Sequence, residues 1–393
     1  MPDQRRIGRR TLLAATLGAA AGLGAAAPAT AAPRRTGVAA AAPRVTATRL
    51  ADGPVVLEQA HRVNRRGQVL GAWRFGDYNR RVALWDRGRI TVLPPLTPGG
   101  TPLSGDLNDR GQVLGVEFFP GDPRAVAPAV LWERGVPRAV DLGAPGRERF
   151  AQPGELNDHG HFLLRTDEHL YLYRDGRPTL IDVPMPSVLG AGHTYGLNNR
   201  GQVVGVALGG VGGFVWQDGT TTPLGGGAEP RAINERGQVA ADAARDGHPR
   251  AVRWDAGTLT DLGTLGGTSS QVSYLGRPLN DQGDVVGASY LPGDRVRRPV
   301  LWADGRTTDL GGFGGDEGWA VAVNNRREVI GFGLDEDGVQ RGFLWRAGRL
   351  VEIPPPDGYT GCSLHLIADD GAIYGSARTA DGSHDEAFRW TVS

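Results

Sequence analysis

The sequence contains no lysine and one cysteine, and it has no long apolar run after its first thirty residues. All 43 basic residues are arginine, and 43 acidic residues balance them. Without a basic excess or a basic stripe, the chain is not expected to bind nucleic acid. Cys362 has no partner for a disulfide or a Cys-Xaa-Xaa-Cys metal site, and we interpret it as a small, partly buried residue rather than a catalytic thiol.

The first thirty residues have the features of an export signal. Arg9 and Arg10 precede a weakly apolar run over residues 12–27, and Ala29-Thr30-Ala31 supplies a small-residue cleavage pattern. Paired arginines are typical of the twin-arginine route. No segment has the ~20 apolar residues that a membrane span requires. We therefore expect a twin-arginine signal peptide at 1–31, a flexible leader at 32–44 and a secreted, extracellular protein.

The rest of the chain repeats one turn motif eight times. The motif is apolar-Asn-Xaa-Xaa-Gly-Gln-Val-apolar-Gly, and successive copies are separated by 36 to 49 residues. The glycine occupies the turn position that requires a positive φ, and the asparagine side chain can bond the turn backbone. Arg327 replaces this glycine in the seventh copy, which predicts a strained or rebuilt turn there. The asparagine position is occupied by Asn64, Asn108, Asn157, Asn198, Asn234, Asn280, Asn324 and Ala368.

A second motif lies between the asparagine turns. It is an apolar stretch that ends in tryptophan, followed after two residues by glycine, and it holds seven of the nine tryptophans. Its regular position indicates a structural role in the core. The two motifs define four short strands in each unit of about 43 residues, which is typical of a propeller blade. No segment shows the 3.6-residue period of a helix.

These patterns predict an all-β fold, a single β-propeller domain over residues 45–393 with eight four-stranded blades. A seven-bladed propeller and an open β-solenoid are the alternatives. The last unit ends at Trp390 without a following strand, and residues 49–57 resemble the end of a unit. We therefore expect the segment ending in the strand 54–57 to complete the last blade and to protect its open edge.

The repeats resemble those of the extracellular HAF-repeat family. Units of that family carry an Asn-Xaa-Xaa-Gly-Gln-Val-Val-Gly turn, a His-Ala-Phe-Leu-Trp strand and an Asp-Leu-Gly-Thr-Leu-Gly-Gly tail. The turn matches in full at residues 198–205 and the tail at residues 261–267, whereas the strand is degenerate and has lost its histidine, as in residues 341–345. The resemblance covers about residues 48–393. It implies an extracellular repeat protein and supplies no catalytic residues.

Few residues are candidates for chemistry. Trp73 and Trp319 fall outside the repeated tryptophan position, so we predict that they are exposed and contact a ligand. His159 and His161 flank a turn glycine, and residues 334–338 are acidic. Neither pattern supplies the convergent ligands of a metal site, and both are interpreted as solvated turns. We predict no metal and no cofactor.

The expected function is that of an exported, monomeric, non-catalytic protein that binds an extracellular ligand such as a glycan or a cell-envelope component. One alternative is a propeller hydrolase or lyase that acts on polysaccharide. Another is a structural surface protein. The fold does not decide among them. Converging carboxylates or histidines would favour an enzyme, and exposed aromatic residues would favour a glycan-binding protein.

Overall fold

The computed structural model describes residues 43–52, 55–75, 79–119, 128–140, 152–165, 169–183, 196–207 and 212–393. These residues belong to one compact unit, Pro43–Ser393. The expected signal peptide and nearly all of the expected leader lie outside the described residues. Within the described part of the chain, no helix is long and apolar enough to cross a membrane.

The chain forms eight antiparallel sheets, one for each sequence repeat, arranged as the blades of a ring. This confirms the predicted eight-bladed β-propeller, and it excludes seven blades and the open solenoid. In blades 1 to 7 the strands follow chain order from the central channel outwards. Blades 1 to 4 contain β3–β6 (Val55–Val63, Val69–Phe75, Asn79–Asp86, Arg89–Val92), β7–β10 (Thr101–Leu107, Val113–Phe118, Ala129–Glu133, Val136–Ala139), β11–β14 (Gln152–Leu156, Phe162–Arg165, Leu170–Arg174, Arg177–Ile181) and β15–β18 (Gly196–Leu197, Val203–Ala207, Gly212–Gln217, Thr220–Pro223).

Blades 5 to 8 repeat this arrangement. Blade 8 takes three strands from the C-terminal end and its outermost strand, β1 (Val45–Arg49), from the N-terminal end, while the short β2 (Ala51–Asp52) extends blade 1. The strands are β19–β22 (Glu229–Ile233, Val239–Arg245, His248–Asp255, Thr258–Asp261), β23–β26 (Ser270–Val272, Val285–Tyr290, Arg297–Ala303, Arg306–Asp309), β27–β30 (Gly314–Val323, Val329–Asp335, Gln340–Arg346, Arg349–Ile353), β31–β33 (Tyr359–Ile367, Ile373–Thr379, Asp385–Val392), β1 (Val45–Arg49) and β2 (Ala51–Asp52).

The two sequence motifs form the two kinds of hairpin that were expected. In the first asparagine turn, Gly67 has a φ of 75°. Asn64 Oδ1 accepts hydrogen bonds from the backbone N–H groups of Arg66 and Gln68 at 3.1 and 3.0 Å. Arg327 adopts a φ of 59° in a turn with the same backbone hydrogen bonds as the other copies, so of the two predicted outcomes the turn is strained rather than rebuilt. Its side chain binds Asp284 at 2.8 Å. The tryptophan turns have two consecutive residues at positive φ, which matches the twist of a tight hairpin.

The repeated tryptophans pack between neighbouring blades. Trp132 of blade 2 lies in a cluster with Leu70 and Val82 of blade 1. Its Nε1 donates to the carbonyl oxygen of Pro94 at 2.8 Å. The structural role predicted for this position is therefore confirmed.

The ring is closed by the two chain ends, but the closing strand is not the expected one. β1 pairs with β33 in blade 8, from Val45 opposite Val392 to Arg49 opposite Phe388. Residues 55–57 instead begin the inner strand of blade 1, because β2 turns back onto β3. The closing strand thus precedes the segment 54–57 that the sequence pattern indicated.

A chain of hydrogen bonds joins the blades around one end of the channel. The side-chain amide of each asparagine at the repeated position donates to the main-chain oxygen of the same position in the next blade, at 2.9–3.1 Å. We call this the Asn ring. It has seven links, and the eighth is missing because Ala368 has no amide to donate to blade 1. The Asn ring fixes the blades relative to one another at the end where the channel opens.

Candidate functional site

The central channel contains a cavity of about 600 Å³ at the end marked by the Asn ring. The inner strands reach it through a β-bulge just before the asparagine turn, seen as register shifts at Ala60/Arg62, Ser104/Asp106 and Leu364/Leu366. A bulge adds a residue and re-aims the neighbouring side chains. As a result, charged and polar residues of several blades line the same cavity.

Three charged side chains from consecutive blades meet on one wall, each two residues before its asparagine position. Arg62 Nε donates to Asp106 Oδ1 at 3.0 Å, and the backbone N–H of Leu156 donates to Asp106 Oδ2 at 2.7 Å. Glu155 Oε1 lies 3.9 Å from Arg62 Nη2. The carboxyl group of Glu155 lies close enough to Asp106 for the two charges to interact. We call Arg62, Asp106 and Glu155 the wall cluster.

The surroundings of the wall cluster raise the pKa values of its two acids. Burial and the adjacent carboxylate of Asp106 raise the pKa of Glu155 from 4.5 to about 7. Burial also raises the pKa of Asp106, although Arg62 and the N–H of Leu156 act in the opposite direction. The protonation of Glu155 therefore changes near neutral pH, beside Arg62 and Asp106.

A second set of charges surrounds the opening. We call the residues that directly follow the Asn ring positions the mouth ring. In seven of the eight blades, the backbone N–H of a mouth-ring residue donates to the side chain of the next one, as from Asp109 to Asp158 at 2.8 Å. The mouth ring consists of Arg65, Asp109, Asp158, Asn199, Glu235, Asp281, Asn325 and Asp369.

One arginine spans the opening. Arg65 Nε lies 3.2 Å from Asp109 Oδ2 in blade 2, and its Nη2 lies 3.9 Å from Asp281 Oδ2 in blade 6, which is diametrically opposite blade 2. Burial raises the pKa values of Asp109 and Glu235, and the charge of nearby Asp158 raises both further. The mouth ring thus concentrates like charges at the axis of the propeller.

An aromatic side chain completes the cavity. Tyr274 lines the channel and is 67% exposed. In blade 6 the inner strand stops at Val272, and residues 273–278 form a loop in the place where other blades continue the strand. Pro278 cannot donate a ladder hydrogen bond, and it is the sequence signal that could have revealed this loop. Sequence analysis missed Tyr274.

Trp73 and Trp319 were predicted to be exposed and to contact a ligand, and the structure describes the side chain of Trp319. Trp319 is 4% exposed, so the expected exposure was wrong. Its Nε1 donates to Glu317 Oε1 at 2.8 Å, the Arg297 guanidinium lies 4.6 Å from its ring centroid, and Tyr274 packs edge-on at 5.4 Å. Trp319 therefore supports Tyr274, and its contact with a ligand stays a prediction. The side chain of Trp73 lies outside the described residues.

The other sequence candidates occupy structural positions. Burial and the charge of Glu352 raise the pKa of the Cys362 thiol to about 11, so the thiol stays protonated and is a poor nucleophile near neutral pH. His161 Nε2 lies 3.7 Å from Asp175, and burial lowers the pKa of this histidine. Asp335 accepts two backbone hydrogen bonds within its own turn. Among the described residues, no group of three or more acidic, histidine or cysteine side chains could hold a metal ion.

Comparison with known proteins shows the fold. No protein-family model and no curated protein matches the sequence. The β-propeller domain of the Trilobed protease from Pyrococcus furiosus aligns with a TM-score of 0.45 and 10% identity over 75% of this chain and 95% of that domain. A prolyl endopeptidase aligns with a TM-score of 0.50 and 11% identity over 83% of this chain and 55% of its own. Dipeptidyl peptidase 4 of Porphyromonas gingivalis aligns with a TM-score of 0.50 and 11% identity over 81% of this chain and 57% of its own. This chain spans little more than half of either peptidase, and such identities show a shared fold alone.

Proposed function

We propose that this protein is an exported binding protein that holds the end of a polar extracellular ligand, such as a glycan, in the cavity of its central channel. The observation that carries the proposal is an exposed aromatic side chain, Tyr274, in a cavity lined by charged and amide groups. Aromatic faces pack against the C–H faces of sugar rings, and a few fixed polar groups then select the hydroxyl pattern.

The surroundings of the cavity also support binding. The Asn ring and the bulged inner strands hold the polar groups in place before a ligand arrives, which lowers the entropy cost of association. Export is supported by the sequence features of residues 1–31 and by the resemblance to the HAF-repeat family.

An enzyme acting on polysaccharide is a second candidate, and one observation favours it. The pKa of Glu155 at about 7 suits a general acid near neutral pH. However, glycosidase carboxyl groups flank the scissile bond at roughly 5–5.5 Å or 6.5–9.5 Å. Asp106, the carboxyl group beside Glu155, is instead held by Arg62 and by the N–H of Leu156. These protein contacts occupy the carboxylate that would have to act as nucleophile or base, so binding is the better-supported function.

The proposal is tested by measuring binding of the full-length chain to a panel of oligosaccharides, with Tyr274→Ala beside it. Phe118→Ala is the matched control, because Phe118 is also an exposed aromatic residue but lies at the far end of β8, away from the asparagine turns. We expect Tyr274→Ala to weaken binding at least about tenfold, equivalent to ~1.4 kcal/mol, and Phe118→Ala to leave it unchanged. The proposal would be overturned if the chain bound none of the oligosaccharides. It would also be overturned if Phe118→Ala weakened binding while Tyr274→Ala left it unchanged. Release of sugar products by the unmodified chain would establish the enzyme instead.

A further inference from the structure

The charges that line the cavity do not cancel, and this imbalance selects among ligands. Of the four arginines on the lining, Arg231 is paired outside the cavity, with Asp242 at 2.9 Å and Glu229 at 3.7 Å. The remaining three face a larger number of acids. The arginines are Arg62, Arg65 and Arg277, and the acids of the lining and mouth ring are Asp106, Asp109, Glu155, Asp158, Glu235, Asp281 and Asp369.

The excess negative charge is concentrated at the opening. Arg62 is committed to Asp106, and Arg277 lies 3.8 Å from Asp281. Among the described residues, no arginine or histidine lies within ion-pair distance of Asp158, Glu235 or Asp369; their oxygens accept backbone and asparagine N–H groups instead. A low-dielectric channel rimmed by charges of one sign focuses the field along its axis and attracts ions of opposite sign.

The protein already places one cation of its own at this point. The guanidinium of Arg65 lies between acids of two opposite blades, 3.2 Å from Asp109 and 3.9 Å from Asp281. Around it, the remaining carboxylates are spread around the rim rather than converging on one point. An ammonium group satisfies its charge with separate hydrogen bonds to such oxygens. Tyr274, exposed in the same cavity, offers the face of its ring to a cation as well as to a sugar.

We infer that the ligand is a glycan with free, protonated amino groups, whose cationic end enters the channel through the mouth ring and stacks against Tyr274. This inference rests on the proposed function and names its ligand class. The acids of the mouth ring bind the ammonium groups, and the neutral, acetylated form of the same sugar lacks this attraction.

The first test compares two hexamers that differ only in the acetylation of their amino groups. Binding of the full-length chain to a glucosamine hexamer and to an N-acetylglucosamine hexamer is measured by calorimetry at pH 6 and low ionic strength. We expect the glucosamine hexamer to bind at least tenfold more tightly, with a preference that declines as salt screens the mouth ring. Equal affinities would overturn the inference and leave the proposed function standing. If neither hexamer binds and the oligosaccharide panel also gives no binding, both fail.

The second test removes charge while preserving shape. In Asp158→Asn with Glu235→Gln, the acceptors for backbone N–H groups remain, and we expect the preference for glucosamine to fall to about twofold or less. Asp337→Asn with Asp357→Asn removes the same charge from exposed turns at the opposite end of the blades and should leave the preference intact. An equal loss in both double variants would mean a non-specific charge effect and would overturn the inference. Tetralysine binding more tightly than the glucosamine hexamer would assign the site to basic peptides instead.

Discussion

Truncating Leu50 tests whether the first and last blades are packed against each other. Leu50 is 0% exposed and directly follows β1. Its backbone N–H donates to the carbonyl oxygen of Ala387 in blade 8 at 2.8 Å. Its side chain packs in a cluster that contains Leu57 and Val69 of blade 1 and Tyr374 of blade 8. Leu50 therefore occupies the seam where the ring closes.

We expect Leu50→Ala to lower the free energy of unfolding by about 2–5 kcal/mol, because it removes buried methyl groups and leaves a cavity in the seam. The matched control is Leu180→Ala on the outer strand of blade 3, where the side chain is 45% exposed and the change should stay within ~0.5 kcal/mol. Urea denaturation followed by tryptophan fluorescence measures both. If the two variants were equally stable, the chain ends would not be packed into the seam, and closure of the ring by β1 would be refuted.

Three further predictions follow from the cavity, the Asn ring and the signal. Because the pKa of Glu155 is raised from 4.5 to about 7, its contribution to stability is present below pH 4.5 and is lost as the pH rises through 7. Glu155→Gln should therefore abolish this part of the decline in melting temperature with rising pH. A melting temperature that falls with pH just as in the unmodified chain would contradict the raised pKa of Glu155. Ala368→Asn should add the missing link of the Asn ring and raise the free energy of unfolding by about 1 kcal/mol in urea titrations; destabilisation would show that the seam has no room for the amide. Arg9→Lys with Arg10→Lys should stop export, and normal amounts of the variant in the culture medium would disprove the twin-arginine interpretation.

The blades could be predicted because each repeat carries its own local instructions. A glycine at the positive-φ position and an asparagine that bonds its own turn specify one hairpin, and the glycine three residues after the tryptophan specifies the next. The fixed tryptophan position also revealed the core between blades. These signals are local, and eight copies make them unambiguous.

The closing strand was misplaced because its own signal is weak. Residues 45–49 alternate small and polar side chains, whereas Ala51-Asp52-Gly53 imitates the turn that follows a tryptophan strand. In the structure β2 pairs with β3, and the apolar run that begins at Val55 belongs to the inner strand of blade 1. Strand pairing across the whole chain length cannot be identified from the local pattern.

The channel site was largely hidden for a related reason. Arg62, Asp106 and Glu155 occupy the same position in consecutive repeats, two residues before the asparagine position, so aligning the repeats would have brought these charges together. Their contact depends on the bulges, which a strict two-residue alternation does not reveal. The burial of Trp319 depends on the loop of a neighbouring blade, and single-strand periodicity carries no information about it.

The most direct test of the central claim is a crystal structure of the chain bound to the glucosamine hexamer. We expect sugar density in the channel, with a ring against Tyr274 and an amino group within hydrogen-bonding distance of mouth-ring carboxylates such as Asp158 or Glu235. Density on the outer strands, or at the opposite end of the blades beside Phe118, would contradict the central claim.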